Sequence, residues 1–235
     1  SQLLKTLPCG SSKKPCKVLE IDLARGVVET APTNPLEALK LINAPTMSAL
    51  REGLRHGADD EQVVGLVLRL GTINRLSLTT LQELGAMVAK FGERKATVAI
   101  AESFGELESG LGAYTLATHA QQIWLQPGGV VGLSGVYSGI TLMRGLLEKG
   151  GLEPQFGQRH EYKSAADRFA AREVTGPHRD QVQRLADSVF EQCLGTISQR
   201  RDIDHSRLRE LCEQAQLDAD EALAAGLIDK LGYRD

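Results

Sequence analysis

The sequence predicts an α/β fold with a largely parallel sheet. Three observations carry that expectation. Four short runs rich in Val, Ile and Leu lack a clean apolar–polar alternation, as strands covered on both faces do. Segments with apolar residues at helical spacing lie between them. Cap-type residues and terminal glycines punctuate those segments, which gives the strand-then-helix rhythm of parallel α/β proteins.

The strands are expected at 17–23 (KVLEIDL), 63–70 (VVGLVLRL), 96–103 (ATVAIAES) and 122–127 (QIWLQP). Residues 46–57 and 77–92 read as helices that end on glycine, and 110–120 as a third helix. After Pro127, GGVVGLSG (128–135) reads as a turn, a short strand and a second turn. Its glycines Gly128, Gly129, Gly132 and Gly135 lack the Lys-Ser/Thr pair of a phosphate loop and point instead to a close backbone approach. Residues 139–151 read as a helix, PQFGQRHEY (154–162) is strand-like, and SAADRFAAREV (164–174) opens on the cap-type Ser164 and carries helix formers. Residues 176–203 form one long amphipathic pattern, with Pro177 in its first turn and an apolar stripe of Leu185, Val189, Phe190, Cys193, Leu194 and Ile197. Two shorter helices, at 205–215 and 218–226, lead to the closing LIDKLGYRD. No internal repeat or linker is legible, so 17–235 reads as one domain behind an N-terminal tail of 1–16.

The chain has 235 residues, enough for a sizeable core, with 42% hydrophobic and 24% charged residues. A net charge of −3 and an aromatic share of 4% point to no nucleic-acid partner. No run of 18 apolar residues is present, and the first 17 residues lack a signal-peptide apolar core. The chain opens without Met, as a processed product or a piece of a longer protein would. No pair among the five histidines has metal-ligand spacing, and the four cysteines do not spell a zinc site. No metal or other cofactor is expected. Cys193 and Cys212 read as small core residues, and a Cys9–Cys16 disulfide is open.

One residue stands apart. Lys163 lies between the strand-like run and the helix-like run, next to Ser164, Ala165 and Ala166. It is either a solvated loop lysine or a base. Small neighbours admit another backbone, a helix start disfavours a cation, and burial lowers a lysine pKa. Moving a lysine from about 10.4 to near 7 corresponds to roughly 4–5 kcal/mol of charged-state preference. A neutral lysine can then take the proton of a serine hydroxyl.

The segment EYKSAADRF (161–169) resembles the lysine motif of the signal peptide peptidase A family, also called protease IV. YTLATHAQQIWLQPGGVVGLSG (114–135), LMRGLLEKGGLEPQF (142–156) and ADEALAAGLIDKLGYRD (219–235) agree with that family in order and spacing. The resemblance runs from about Val18 and is strongest over 98–235. It implies a ClpP/crotonase-like fold, a spiral of β-β-α units, and a catalytic dyad of a serine nucleophile and a lysine base. Lys163 falls on the lysine. Leu111 falls where the serine belongs, Ser109 lies two residues before it, and the oxyanion glycine pair is missing from LGTINRLSL (70–78). The chain therefore resembles the amino-terminal half of the long, two-domain members, in which a second domain supplies the serine. The resemblance further implies peptide substrates, among them cleaved signal peptides and other hydrophobic peptides, membrane association in the cell envelope, and a homo-oligomer. Two alternatives stand beside it: a non-catalytic assembly domain of the same fold, and a crotonase-type acyl-CoA enzyme.

Overall fold

The computed structural model describes residues 5–7, 16–23, 26–29, 44–70, 76–106, 108–157 and 159–233. The chain divides into two compact units, one of Ser1–Gly135 with Cys193–Asp235 and one of Val136–Gln192. Cys9 lies outside the described residues, and with it the proposed pairing to Cys16.

The first unit is built on a six-stranded sheet. Its strands are β1 (Lys5–Leu7), β2 (Cys16–Asp22), β3 (Val63–Arg69), β4 (Ala96–Ala101), β5 (Gln122–Leu125) and β8 (Lys230–Leu231), hydrogen-bonded in that order. All neighbours run parallel except β1 against β2. The four sequence-derived strands are thus present and parallel, each one to two residues shorter at its end than the apolar run. Leu66, Leu68, Ala99, Ala101, Ile123 and Leu125 are buried along the central strands, which is why these runs are apolar without alternation.

Helices supply the crossovers. Thr46 caps α1 (Met47–Asp59) by accepting from the Ala49 N–H at 3.1 Å, and Ser77 caps α2 (Leu78–Gly92) by accepting from Thr80 N–H at 3.1 Å. The face Leu81, Leu84, Val88 and Phe91 of α2 is buried. Between β4 and β5 lies α3 (Leu111–Ala117), shorter than expected because its chain turns at Thr118.

A second layer explains the glycines. Strand β6 (Val130–Val131) pairs antiparallel with β7 (Leu217–Asp218), and Phe104 bridges to Val131 in parallel. Phe104 N–H donates to Val130 O at 2.8 Å, Gly132 N–H to Phe104 O at 2.7 Å, and Gly110 N–H to Gly132 O at 2.8 Å. A Cβ on Gly129 would stand 2.0 Å from Glu102 O, and one on Gly110 2.1 Å from Phe104 O. The close approach read from the glycine run is therefore real at Gly129, whereas Gly128 and Gly135 have open space around them. Chain order is strand, short second-layer segment, helix (β4, Phe104, α3), the β-β-α unit that the resemblance implied.

The closing segment is tied to this sheet. The Asp229 carboxylate accepts from Ile123 N–H at 2.7 Å and from both terminal nitrogens of Arg201, each at 2.9 Å. Arg201 also donates to Gly226 O. Tyr114 is fully buried, stacks edge-on against Phe104 at 5.4 Å, and donates its hydroxyl to Leu227 O. Asp218 and Glu221 close a capping box on α8 (Ala219–Ala224).

The second unit begins with α4 (Arg144–Lys149), only part of the helix expected over 139–151. It continues through a 3-10 turn (Ser164–Ala166) into α5 (Asp167–Ala170). The long helix α6 (Gly176–Arg201) starts in this unit and ends in the first, followed there by α7 (His205–Glu213). Its expected apolar stripe holds only at the far end. Cys193, Leu194 and Ile197 are buried, but Leu185 is 66% exposed. Burial pushes the Cys193 and Cys212 thiols up, Cys212 to about 11. The strand-like PQFGQRHEY is a second correction. Residues 152–157 have no regular structure and 161–162 form a turn. Pro154 and Gly157 interrupt the run, and among the described residues it meets no partner strand.

Two stability measurements check this account. Gly129→Ala should lower the thermal midpoint by the equivalent of about 1–3 kcal/mol, while Gly128→Ala should stay within about 0.5 kcal/mol. Burial raises the Tyr114 phenol above its ordinary value of 10.0, so the folded state keeps a proton that the unfolded state loses. That contribution is present below pH 10 and is lost as the pH rises beyond it. The stability difference between wild type and Tyr114→Phe should therefore shrink above that pH in urea titrations.

Candidate functional site

Lys163 sits in the second unit at the start of the 3-10 turn, with φ −88° and ψ 64°. Its N–H donates to His160 O at 3.0 Å, which closes the preceding turn. Its side chain is exposed and, among the described residues, forms no hydrogen bond or ion pair. Ser164 does not cap the helix as its residue type led us to expect. Its hydroxyl donates instead to Gln181 Oε1 on α6 at 2.7 Å, and Gln181 Nε2 donates to Tyr162 O.

Beneath this turn lies a small polar cluster. Asp167 is 6% exposed and accepts from Thr175 Oγ1 at 2.7 Å. His178 Nδ1 is 3.8 Å from the Asp167 carboxylate, is buried, and has no hydrogen-bond partner. A pocket of about 450 Å³ adjoins the cluster, lined by Ser138, Thr141, Ser164, Arg168, His178 and Val182 among others. Glu148 on α4 holds Arg144 at 2.6 Å and Arg172 at 2.9 Å, and these two guanidinium groups keep its carboxyl below the usual range.

The second unit has almost no interior of its own. Asp167 is its only buried residue among those described. Tyr137 is 92% exposed, and Leu146, Leu152, Phe156, Tyr162 and Leu185 are all more than half exposed.

The position that the resemblance gives to the serine belongs to the first unit. Leu111 is the first residue of α3 and is 2% exposed. Ser109 is exposed, donates its hydroxyl to Ser134 O and accepts from Leu111 N–H at 3.4 Å. Among the described residues no base is hydrogen-bonded to that hydroxyl. The expected loss of oxyanion glycines falls on 70–78, of which 71–75 lie outside the described residues. Among the described residues no group of His, Cys, Asp or Glu is placed to hold a metal ion, and no helix is long and apolar enough to cross a membrane.

The model of peptidase family S49 matches residues 93–235, from the end of α2 through β8 and the closing segment. The chain belongs to peptidase family S49. The resemblance to the signal peptide peptidase A family is thereby confirmed. Protease 4 of Salmonella typhi is 26% identical over 156 residues, covering 66% of this chain and 24% of that protein. Protease 4 of Haemophilus influenzae is 24% identical over 156 residues, 66% of this chain and 25% of that protein. The chloroplastic serine protease SPPA of Arabidopsis thaliana is 24% identical over 126 residues, 54% of this chain and 19% of that one. The chain thus spans about a quarter or less of the curated relatives it matches. Solved structures superpose loosely. An enoyl-CoA hydratase/isomerase family protein from Silicibacter pomeroyi gives a TM-score of 0.45 at 17% identity over 99% of this chain and 76% of that one. A membrane-bound stomatin-specific protease gives 0.47 at 12% identity over 93% of this chain and 79% of that one.

The EYKSA segment and the start of α3, the two places to which the resemblance points, lie in different compact units. Sequence reasoning singled out both. It missed Gln181 and the Asp167–Thr175–His178 cluster, because a glutamine in the polar run HRDQVQRLAD and an aspartate in a helix start carry no local signal. Asp167→Ala should leave the Thr175 hydroxyl without its acceptor and destabilise the chain by about 1–3 kcal/mol. Urea denaturation should read this loss as a lower midpoint at unchanged slope, with the exposed Asp180→Ala as a silent control.

Proposed function

We propose that this chain is the lysine-bearing half of a Ser-Lys dyad peptidase, with the serine supplied by a second domain. One contrast carries the reading. Lys163 is held at a defined turn in a unit whose large apolar side chains are exposed, whereas Leu111 fills the serine position with a buried leucine. A unit without an apolar interior gains from being covered, since burial is the main favourable term in folding and association. The cover is a serine-bearing domain, which desolvates Lys163 and lowers its proton affinity.

Chemically, the neutral Nζ of Lys163 takes the hydroxyl proton as the serine oxygen attacks the peptide carbonyl carbon. The C–N bond then breaks, and Lys163 returns that proton to the leaving amine. Water, deprotonated by the same lysine, releases the acyl group and restores the hydroxyl. Hydrophobic peptides, including cleaved signal peptides at the membrane of the cell envelope, are the proposed substrates. A homo-oligomer of the complete protein is the proposed assembly. The buried Leu111 equally favours a second reading, an assembly domain that keeps the fold for packing alone. Membership of S49 leaves the acyl-CoA alternative without a supporting observation.

In the complete enzyme Lys163→Ala should cost several orders of magnitude in kcat, because base and nucleophile act as a unit. Lys163→Arg should fail as well, since a guanidinium keeps its proton. Retention of more than about a tenth of wild-type activity by Lys163→Ala would support the assembly reading instead. The 235-residue chain alone should resist a fluorophosphonate probe. Labelling of Ser109, abolished by Ser109→Ala, would show that this chain carries its own nucleophile.

A further inference from the structure

We propose that Gln181 is a positioning residue for Lys163, an inference that rests on reading Lys163 as the dyad base. The chain reaches Lys163 through residues 152–157 without regular structure and a turn at 161–162, so no strand ladder fixes the backbone on that side. A single side-chain amide does. Gln181 Nε2 donates to Tyr162 O, and Gln181 Oε1 accepts from Ser164 Oγ at 2.7 Å. The two ends of one amide therefore hold the residues immediately before and after the lysine. With Lys163 N–H on His160 O, three hydrogen bonds fix this turn while the lysine side chain is left unengaged.

The anchor is well chosen for this task. Gln181 lies in the second turn of α6, a 26-residue helix, so its Cα is held by a regular element. An amide carries donor and acceptor at a fixed spacing; a carboxylate lacks the donor, and asparagine carries the same amide on a side chain one methylene shorter. Gln181 is exposed, so its bonds compete with water and add little net stability. Position is a different quantity. A base must stand within hydrogen-bond reach of the proton it takes, and a displacement of about 1 Å can cost about 100-fold in rate. Removing Gln181 should therefore affect the placement of Lys163 far more than the stability of the fold.

Two experiments test this, and they fail separately. In the 235-residue chain, amide hydrogen exchange over 160–166 should speed up about tenfold in Gln181→Ala with the thermal midpoint nearly unchanged. In the complete enzyme, Gln181→Ala should lower kcat about 10- to 100-fold, leave KM within about twofold, and displace the acid limb of the kcat–pH profile. Gln181→Glu, which keeps the acceptor but loses the donor, should recover only part of the rate. Ser164→Ala should give a smaller loss that adds little to Gln181→Ala. A merely structural glutamine would lower the thermal midpoint and leave the acid limb in place. Unchanged exchange overturns the inference, as does an unchanged kcat and pH profile in Gln181→Ala alongside an inactive Lys163→Ala. An active Lys163→Ala overturns the dyad reading instead, and the exchange rates then still decide whether Gln181 holds the turn.

Discussion

The first unit depends on one backbone-to-backbone approach. The segment that leaves β5 lies so close to the one that leaves β4 that Gly129 has no room for a methyl group, and the β4 segment folds back on itself so tightly that Gly110 has none either. Three short hydrogen bonds between Phe104, Val130, Gly110 and Gly132 follow from that proximity. They set where α3 begins, and so which residue stands at its first position. They also bring Phe104 against Tyr114, whose hydroxyl reaches the carbonyl of Leu227 in the closing segment. The close backbone approach read from the glycine run is thus a packing device at Gly129 and Gly132, and the start of α3 is placed by it.

The second tie is polar. Asp229 serves the Ile123 backbone and the Arg201 guanidinium at once, and Arg201 also holds Gly226 O. Arg201 is only 13% exposed, so this pair is partly desolvated and fully hydrogen-bonded, the condition under which such a pair is tolerated. It joins the end of α6, the last parallel strand and β5 within one unit. The other unit has no comparable core. Its ordered features are local: the Glu148 clasp on two arginines, the Asp167 cluster and the Gln181 bracket.

Legibility in the sequence followed the range of the interactions. Strands such as VVGLVLRL and ATVAIAES were readable because a strand covered on both faces must be apolar throughout, a local compositional fact. Helix starts at Thr46 and Ser77 were readable because a cap is a contact within three residues. Ser164 has the same residue type and misled, because a partner 17 positions away claims its hydroxyl. The first half of the α6 stripe misled for a related reason: periodicity shows that a face is apolar, and cannot show that anything covers it. Lys163 was singled out through its motif. Gln181 was not, since its meaning lies entirely in what it touches.

The burial of Leu111 has an evolutionary consequence. Its side chain is part of the packing at the start of α3, at 2% exposure, in a helix whose other residues are nearly all buried. A serine at that position would remove a core leucine, a loss of about 2–5 kcal/mol against a typical total of about 5–15 kcal/mol. It would also place a hydroxyl in an apolar setting without an obvious partner. A lineage with leucine at this position therefore cannot exchange it for serine by a single substitution and stay folded comfortably. Neighbouring side chains would have to shrink or turn polar first. The leucine works as a ratchet: packing alone is enough to keep it in place.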